Sequence, residues 1–262
     1  MPLSKKLKVK DALALQYEKT FTAFFRMQKT ILMRKLTARA LSAKTRQLAD
    51  PPSITLEAFD EIWSDVEKRT TAALKEAIVN AEADGLHAGA NSFKDALVGV
   101  DPSKKAGTTF NLANPRAVSW FHERGGSVDY IKGIQDTTAE SLKRVITTGL
   151  DEGWSYNQTA KEIQKLFDGP ISRDRAQRIA VYETAQAYEQ GNMLFAQSLK
   201  DDGVEMEKMY QTSEDALVSD LCRGNQDDGW IPIDQYHRSG VQEPPGHVNC
   251  RCYEKYRQRG PS

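Results

Sequence analysis

The residues best suited to chemistry stand together in Pro244-Pro245-Gly246-His247-Val248-Asn249-Cys250-Arg251-Cys252. The chain has three cysteines; two of them are here, one residue apart, and the third, Cys222, lies upstream in Leu221-Cys222-Arg223-Gly224-Asn225. With His247 they offer three thiols and one imidazole, the number and kind of donors found in a closed structural zinc site. A small, loop-rich segment with few large apolar residues gains from such a staple, because metal binding then becomes folding free energy. Three readings stand side by side. The first is a zinc site of Cys222, His247, Cys250 and Cys252. The second is a metal-free polar turn. The third is a disulfide, which an odd cysteine count disfavours as a full framework. The upstream half has no second cysteine, since the position three before Cys222 is Ser219. A catalytic alternative, a metal-dependent nuclease or other enzyme, would use His237, His247 and Asn249 around a metal-activated water. It needs an open metal position, whereas three thiols and one histidine close the shell, so no catalytic residue is assigned.

Charged residues make up 27% of the 262, and no apolar run reaches the length of a membrane span, so a water-soluble protein with no membrane partner is expected. The start, Met1-Pro2-Leu3-Ser4-Lys5-Lys6, lacks the apolar core of a signal peptide. A cytoplasm is the expected compartment, where thiols stay free or metal-bound. The net charge of zero hides an asymmetry. Residues 1–49 hold twelve Lys and Arg against Asp11 and Glu18, a balance of +10, so the remainder of a chain with 36 of each sign carries −10. Such a division suggests that the basic end meets a polyanion or an acidic protein surface.

These residues must be positioned by a mainly α-helical chain. From residue 3 to 49 there is neither Pro nor Gly, and Leu13, Tyr17, Phe21, Phe24, Ile31, Leu32 and Leu36 recur at three- to four-residue spacing. That predicts one amphipathic helix, about 65 Å long if continuous, stopped by Asp50-Pro51-Pro52. Lys29, Arg34, Lys35, Arg39, Lys44 and Arg46 cover much of its other face. A second helical region, from about Ile54, carries Phe59, Ile62, Trp63, Val66, Leu74, Ala77, Ile78 and Ala81, with Ser53 as a candidate cap and a break expected near Gly85 and Gly89. Residues 1–98 thus read as a basic helical hairpin, and 99–107 as a linker. A central helical domain, 108–200, follows with clear punctuation. Asn114-Pro115 opens one helix, Thr137-x-x-Glu140 and Ser155-x-x-Gln158 are capping boxes opening two more, and Gly125-Gly126 and Gly169-Pro170 are stops. Its last helix, from about Arg173 to Lys200, puts Glu183 on a small apolar face. A carboxylate there needs a partner, and Arg144, Arg173, Arg175 and Arg178 are the nearby cations. Residues 201–257 form a small α+β, loop-rich module: a strand near Val204–Tyr210, an acidic turn at Thr212-Ser213-Glu214-Asp215 leading into a short helix to Cys222, and a strand at Trp230–Ile233.

Three stretches, in order, resemble one known family. The first is the Trp120 helix leading to Tyr130-Ile131-Lys132-Gly133-Ile134 and Gly149-Leu150-Asp151-Glu152-Gly153-Trp154-Ser155. The second is Arg175-Ala176-Gln177-Arg178-Ile179-Ala180-Val181-Tyr182-Glu183-Thr184. The third runs from Thr212-Ser213 through Cys222 to Cys252. Together they resemble the phage head morphogenesis proteins, the Mu protein F-like minor head proteins, over residues 114–253. Members of that family commonly carry Thr-x-x-Asp, a Cys-x-x-Cys pair, a Gly turn and Pro-Pro-x-His-x-x-Cys-x-Cys. Here Cys222 matches the second cysteine of the early pair and Ser219 replaces the first, leaving three thiols and one histidine. The resemblance implies a minor structural component of a tailed-phage head, present in few copies at the portal vertex of the virion and made in the host cytoplasm. It implies a role in head assembly, with DNA packaging or ejection beside it. The implied partners are the portal protein, then a major capsid or scaffold protein, with DNA along the basic residues 1–49 as a sequence-independent contact. The first hundred residues match no motif of the family.

Overall fold

The structure, a computed structural model, describes residues 3–44, 54–98, 115–123, 128–169 and 171–259. In chain order the elements are α1 (Leu3–Lys44), α2 (Leu56–Ala96), β1 (Leu97–Val98), α3 (Pro115–Glu123), α4 (Val128–Asp151), α5 (Tyr156–Asp168), α6 (Asp174–Asp201), β2 (Met206–Gln211), α7 (Asp220–Asp227), β3 (Ile231–Pro232) and β4 (Tyr253–Gln258). The chain is mainly helical with a small C-terminal sheet, the class its periodicity implied. The expected features at Asp50-Pro51-Pro52, Ser53, 99–107, Asn114, Gly125-Gly126, Arg46 and Pro170 lie outside the described residues.

Two compact units each gather distant pieces of chain. One comprises residues 17–77 and 126–177. In it the stripe of α1 (Tyr17, Phe21, Phe24, Phe25, Leu32, Leu36) and that of α2 (Phe59, Ile62, Trp63, Val66, Leu74) are buried. The two helices run antiparallel. Gln28 meets Thr70, Lys35 meets Asp65 and Arg39 meets Glu61, so the partner number falls as the α1 number rises. Thr55 caps α2, its hydroxyl accepting from the Ala58 N–H. Ser155 and Gln158 form the capping box that opens α5, as their spacing predicted, and the Tyr156 hydroxyl donates to the Leu36 carbonyl at 2.8 Å. The other expected box, at Thr137, opens nothing. The Thr137 hydroxyl donates to the Gly133 carbonyl one turn back, and α4 runs straight through it. Arg175 ties the unit's last segment to α4 by donating to the Thr138 hydroxyl and the Ile134 carbonyl, with its guanidinium over the Phe25 ring.

The second unit comprises residues 1–16, 78–125 and 178–262. Here α2 was expected to break at Gly85 and Gly89, yet it continues to Ala96. The glycines serve contact rather than interruption. A Cβ built on Gly89 would lie 1.9 Å from the Tyr188 carbonyl oxygen, one on Gly85 2.6 Å from the Ala187 Cβ, and one on Gly191 2.3 Å from the Leu86 carbonyl oxygen. α2 and α6 therefore cross with their backbones nearly touching, as only small residues allow. On this crossing rests a four-stranded sheet of order β1-β4-β2-β3. β2 and β4 are antiparallel with Lys208 opposite Tyr256 and Tyr210 opposite Glu254, β3 adds antiparallel to β2, and β1 adds parallel to β4. Phe93, Met193, Ala196, Met206, Ile233 and Tyr256 form the core between sheet and helices. The strands at Val204–Tyr210 and Trp230–Ile233 fall close to β2 and β3; β4, the centre of the sheet, had no expectation attached to it.

The charge asymmetry also has a local account. Among the cations of α1, Lys10 pairs with Glu189, Lys29 with Asp168, Lys35 with Asp65 and Arg39 with Glu61. The acidic remainder of the chain thus neutralises part of the basic helix from within. Lys8, Lys19, Arg26 and Arg34 are exposed and have no ion pair among the described residues.

Candidate metal centre

The cysteine cluster sits at one end of the sheet, between β2, α7 and the loop that leads into β4. Each donor is placed by a local device. Ser219 is the N-cap of α7 and accepts from the Cys222 N–H at 3.3 Å, which sets Cys222 in the first turn of the helix. The acidic turn at Thr212-Ser213-Glu214-Asp215 was expected to open that helix; Ser219 does so instead. The 212–215 turn is an anchor: Gln226 accepts from both the N–H and the hydroxyl of Thr212, and Asp215 accepts from the Leu217 N–H and pairs with Arg251, the residue between the two C-terminal cysteines. On the other side, Asn249 at φ 64° reverses the chain, and the Cys250 N–H donates to the His247 carbonyl. Asparagine is among the few side-chain-bearing residues that tolerate this left-handed region.

The result brings Cys222 Sγ, His247 Nε2 and Cys250 Sγ within 4.8 Å of one another. The two sulfurs are 3.7 Å apart, and Cys222 Sγ is 3.2 Å from His247 Nε2. A tetrahedral zinc with ordinary bond lengths would hold two thiolates about 3.8 Å apart and a thiolate and an imidazole nitrogen about 3.6 Å apart. The donor types and the sulfur spacing therefore fit zinc. The imidazole is also in the right tautomer. Nδ1 donates to the Val248 carbonyl at 2.8 Å, which leaves the Nε2 lone pair facing the thiols. Cys252 stands apart from this trio of converging atoms but is buried with Tyr210, Val218, Cys222 and Cys250 in one cluster. Ser219, three positions before Cys222, holds its hydroxyl 3.0 Å from His247 Nε2.

The electrostatics already favour a thiolate. Donation from the Cys252 thiol, then from the Tyr210 hydroxyl and the backbone N–H groups of Cys252 and Gly246, holds the Cys250 thiol down at about 4 against the opposing effect of burial. Cys252 moves the other way, pushed up by its bond to the Cys250 sulfur and by burial. The Tyr210 hydroxyl, 3.4 Å from Cys222 Sγ and 3.5 Å from Cys250 Sγ, is pushed up too, first by burial and then by the Cys250 charge. Tyr210 was read from the sequence only as the end of a strand; its place as the polar lid of the thiol cluster is visible only once β2 is paired.

His237, a candidate for metal chemistry by residue type alone, is not part of the cluster. Its ring packs edge-on against Tyr210, and Nε2 lies 2.8 Å from Glu254 Oε1, with both side chains fully buried. Burial, then the charge of Lys208, pushes the imidazole down to about 4, with Asp228 opposing. The sign of the linkage follows from this. The folded state holds a neutral imidazole, whereas the unfolded state takes up a proton near 6.5, so this contribution is complete above pH 6.5 and is lost as pH falls from 6.5 through 4. Urea midpoints should fall from pH 7 to pH 4.5, and His237→Gln should flatten that fall. A slope identical to that of the parent would show that other groups carry it.

Glu183 is buried, as its place on the helix predicted, and it is engaged by a partner. The fully buried carboxylate whose partners are plainest is its neighbour on α6, Glu189. It accepts from Lys10 at 2.8 Å and from the Glu254 N–H at 3.1 Å. Sequence periodicity alone had not separated Lys10 from the other lysines of α1, although it falls one turn before Ala14 on the buried stripe.

These features define a helical protein whose C-terminal sheet ends in a Cys/His cluster with buried cysteines and a half-buried histidine. Residues 140–254 match the family model described as Phage Mu protein F like protein, a stretch of fewer than half of the 262 residues that encloses Cys222, His247, Cys250 and Cys252. The chain thus carries a segment similar to phage Mu protein F-like proteins, the family its motifs resemble. No curated protein and no solved structure matches the chain. No helix among the described residues is long and apolar enough to cross a membrane.

Proposed function

We propose that this protein is a minor head protein of a tailed phage or prophage, built in few copies into the virion at the portal vertex and acting in head assembly. The observation that carries this reading is the family match over residues 140–254, whose C-terminal part coincides with a compact, internally braced Cys/His cluster. In this reading the cluster is structural. Zinc is held by Cys222, His247 and Cys250, with Cys252 as the fourth donor, because Ser219 Oγ is already committed to capping α7 and to His247. The bound metal would supply cross-linking between α7 and the loop before β4, and nothing more. The exposed cations Lys8, Lys19, Arg26 and Arg34 on α1 face the portal protein or pass along DNA without reading its sequence.

Quantitative mass spectrometry of purified virions and of DNA-free proheads tests the assignment. A few copies per particle, lost when the portal gene is deleted, is the expected result. Absence from both particles would overturn it and bring a transient assembly factor or a nuclease to the front.

A further inference from the structure

A β-strand has two hydrogen-bonding edges. β4 spends one on β2 along its whole length and the other on β1, but only at Tyr256 and Arg257. Nearer the cysteines, side chains take up that second edge. The Lys10 ammonium donates to the Cys252 carbonyl at 2.9 Å and to Glu189 Oε1 at 2.8 Å, while Glu189 Oε2 accepts the Glu254 N–H at 3.1 Å. A carbonyl and an N–H two residues apart on one strand are the pair that a neighbouring strand would satisfy. Here an ion pair from α1 and α6 does so. Its side chains are 6% and 0% exposed, and the Tyr188 ring lies 5.7 Å from the ammonium.

We propose that the Lys10–Glu189 pair is a positioning element for the metal-ligand loop, so that docking of the first 16 residues and metal binding are coupled. The inference rests on the metal-centre reading above. Lys10 grips the carbonyl of Cys252 itself, and Glu189 grips the N–H two residues on, so the path of the chain out of Cys250-Arg251-Cys252 is fixed from the far side by a helical residue 242 positions earlier. Partners that hold a ligand from behind typically contribute about 10- to 100-fold in metal affinity. The coupling is reciprocal: the factor by which the clasp tightens metal is the factor by which metal tightens the docking of α1.

The test uses the full chain and Zn²⁺ in competition with a chromogenic chelator. Lys10→Met should raise the zinc dissociation constant about 10- to 100-fold. Lys29→Met, which removes an ion pair to Asp168 in the other unit, should leave it unchanged. Should Lys10→Met not fold, Glu189→Gln, which keeps the volume and an acceptor but removes the charge, carries the same comparison. Stripping zinc from the parent should speed hydrogen exchange at the amides of residues 8–16. An unchanged dissociation constant in the clasp variants, or unchanged exchange on stripping, would overturn the coupling while leaving the metal centre standing. A parent protein that takes up no zinc would overturn the metal centre itself, and the coupling with it.

Discussion

Gly89→Ala is expected to destabilise the protein by about 3 kcal/mol, the upper part of the range for overpacking, and to lower Tm by roughly 6–12 °C. An alanine would ordinarily favour a helix, since glycine costs about 1 kcal/mol in a helix interior. At this position the added methyl would lie 1.9 Å from the Tyr188 carbonyl oxygen, which is backbone and cannot turn aside, so α2 and α6 must separate. The core of Leu86, Ala90, Ala117, Ala187 and Leu194 beside the crossing would open with them. Gly133→Ala is the internal control. That glycine sits inside α4 with nothing within 4 Å of the position its Cβ would take, and the same substitution should there add about 1 kcal/mol. Thermal melts of the two variants with opposite signs would establish that the α2–α6 approach, rather than helix propensity, governs Gly89. A neutral Gly89→Ala would mean that the crossing has slack.

On the zinc reading proposed above, removal of the metal is the second large effect. A metal present at about 1,000 times its dissociation constant adds about 4 kcal/mol to folding, so chelation should lower Tm by roughly 8–16 °C. Cys250→Ser should reproduce that loss in the presence of zinc and melt close to the parent in the presence of chelator. Cys250 is the sensitive choice because its sulfur already receives the bonds of Cys252, Tyr210 and Gly246 that favour a thiolate. Equal melting of parent and variant, with and without chelator, would leave the cluster as a metal-free polar turn.

The helical spans were legible because their buried positions recur every three to four residues, and the α5 cap because Ser155 and Gln158 can form both bonds of a capping box within their own turn. Signals with two physical meanings misled. Glycine marks either a free backbone or a missing side chain, and Gly85 and Gly89 proved to be the second kind, which depends on α6 lying across them. Thr137 followed by Glu140 has the pattern of a cap, but its hydroxyl bonds one turn back inside a continuing helix. β4 was hidden because Tyr253-Glu254-Lys255-Tyr256-Arg257-Gln258 is mostly polar. Glu254 is buried there by His237, which no local pattern announces. The three residues that cluster, Cys222, His247 and Cys250, could be named from residue type and spacing alone. The elements that aim them, Ser219 as a cap and Asn249 as a chain reversal, could be recognised only from backbone geometry.

The bond from Lys10 to Cys252 joins two residues 242 positions apart, so the first is made well before the second. At about 5–20 residues per second, the intervening chain takes on the order of 10–50 s to synthesise. Through that interval the start of α1 has no strand edge to close, and its partner carboxylate, Glu189, is itself made only late. The phenylalanines of α1 can be covered earlier, once α2 has emerged to lie antiparallel beside them. The packing of α1 against α2 can therefore precede the closing of the Lys10 clasp. A chain cut short before Cys252 would lack the carbonyl that Lys10 grips, a state that chaperones and proteases could distinguish from the closed one.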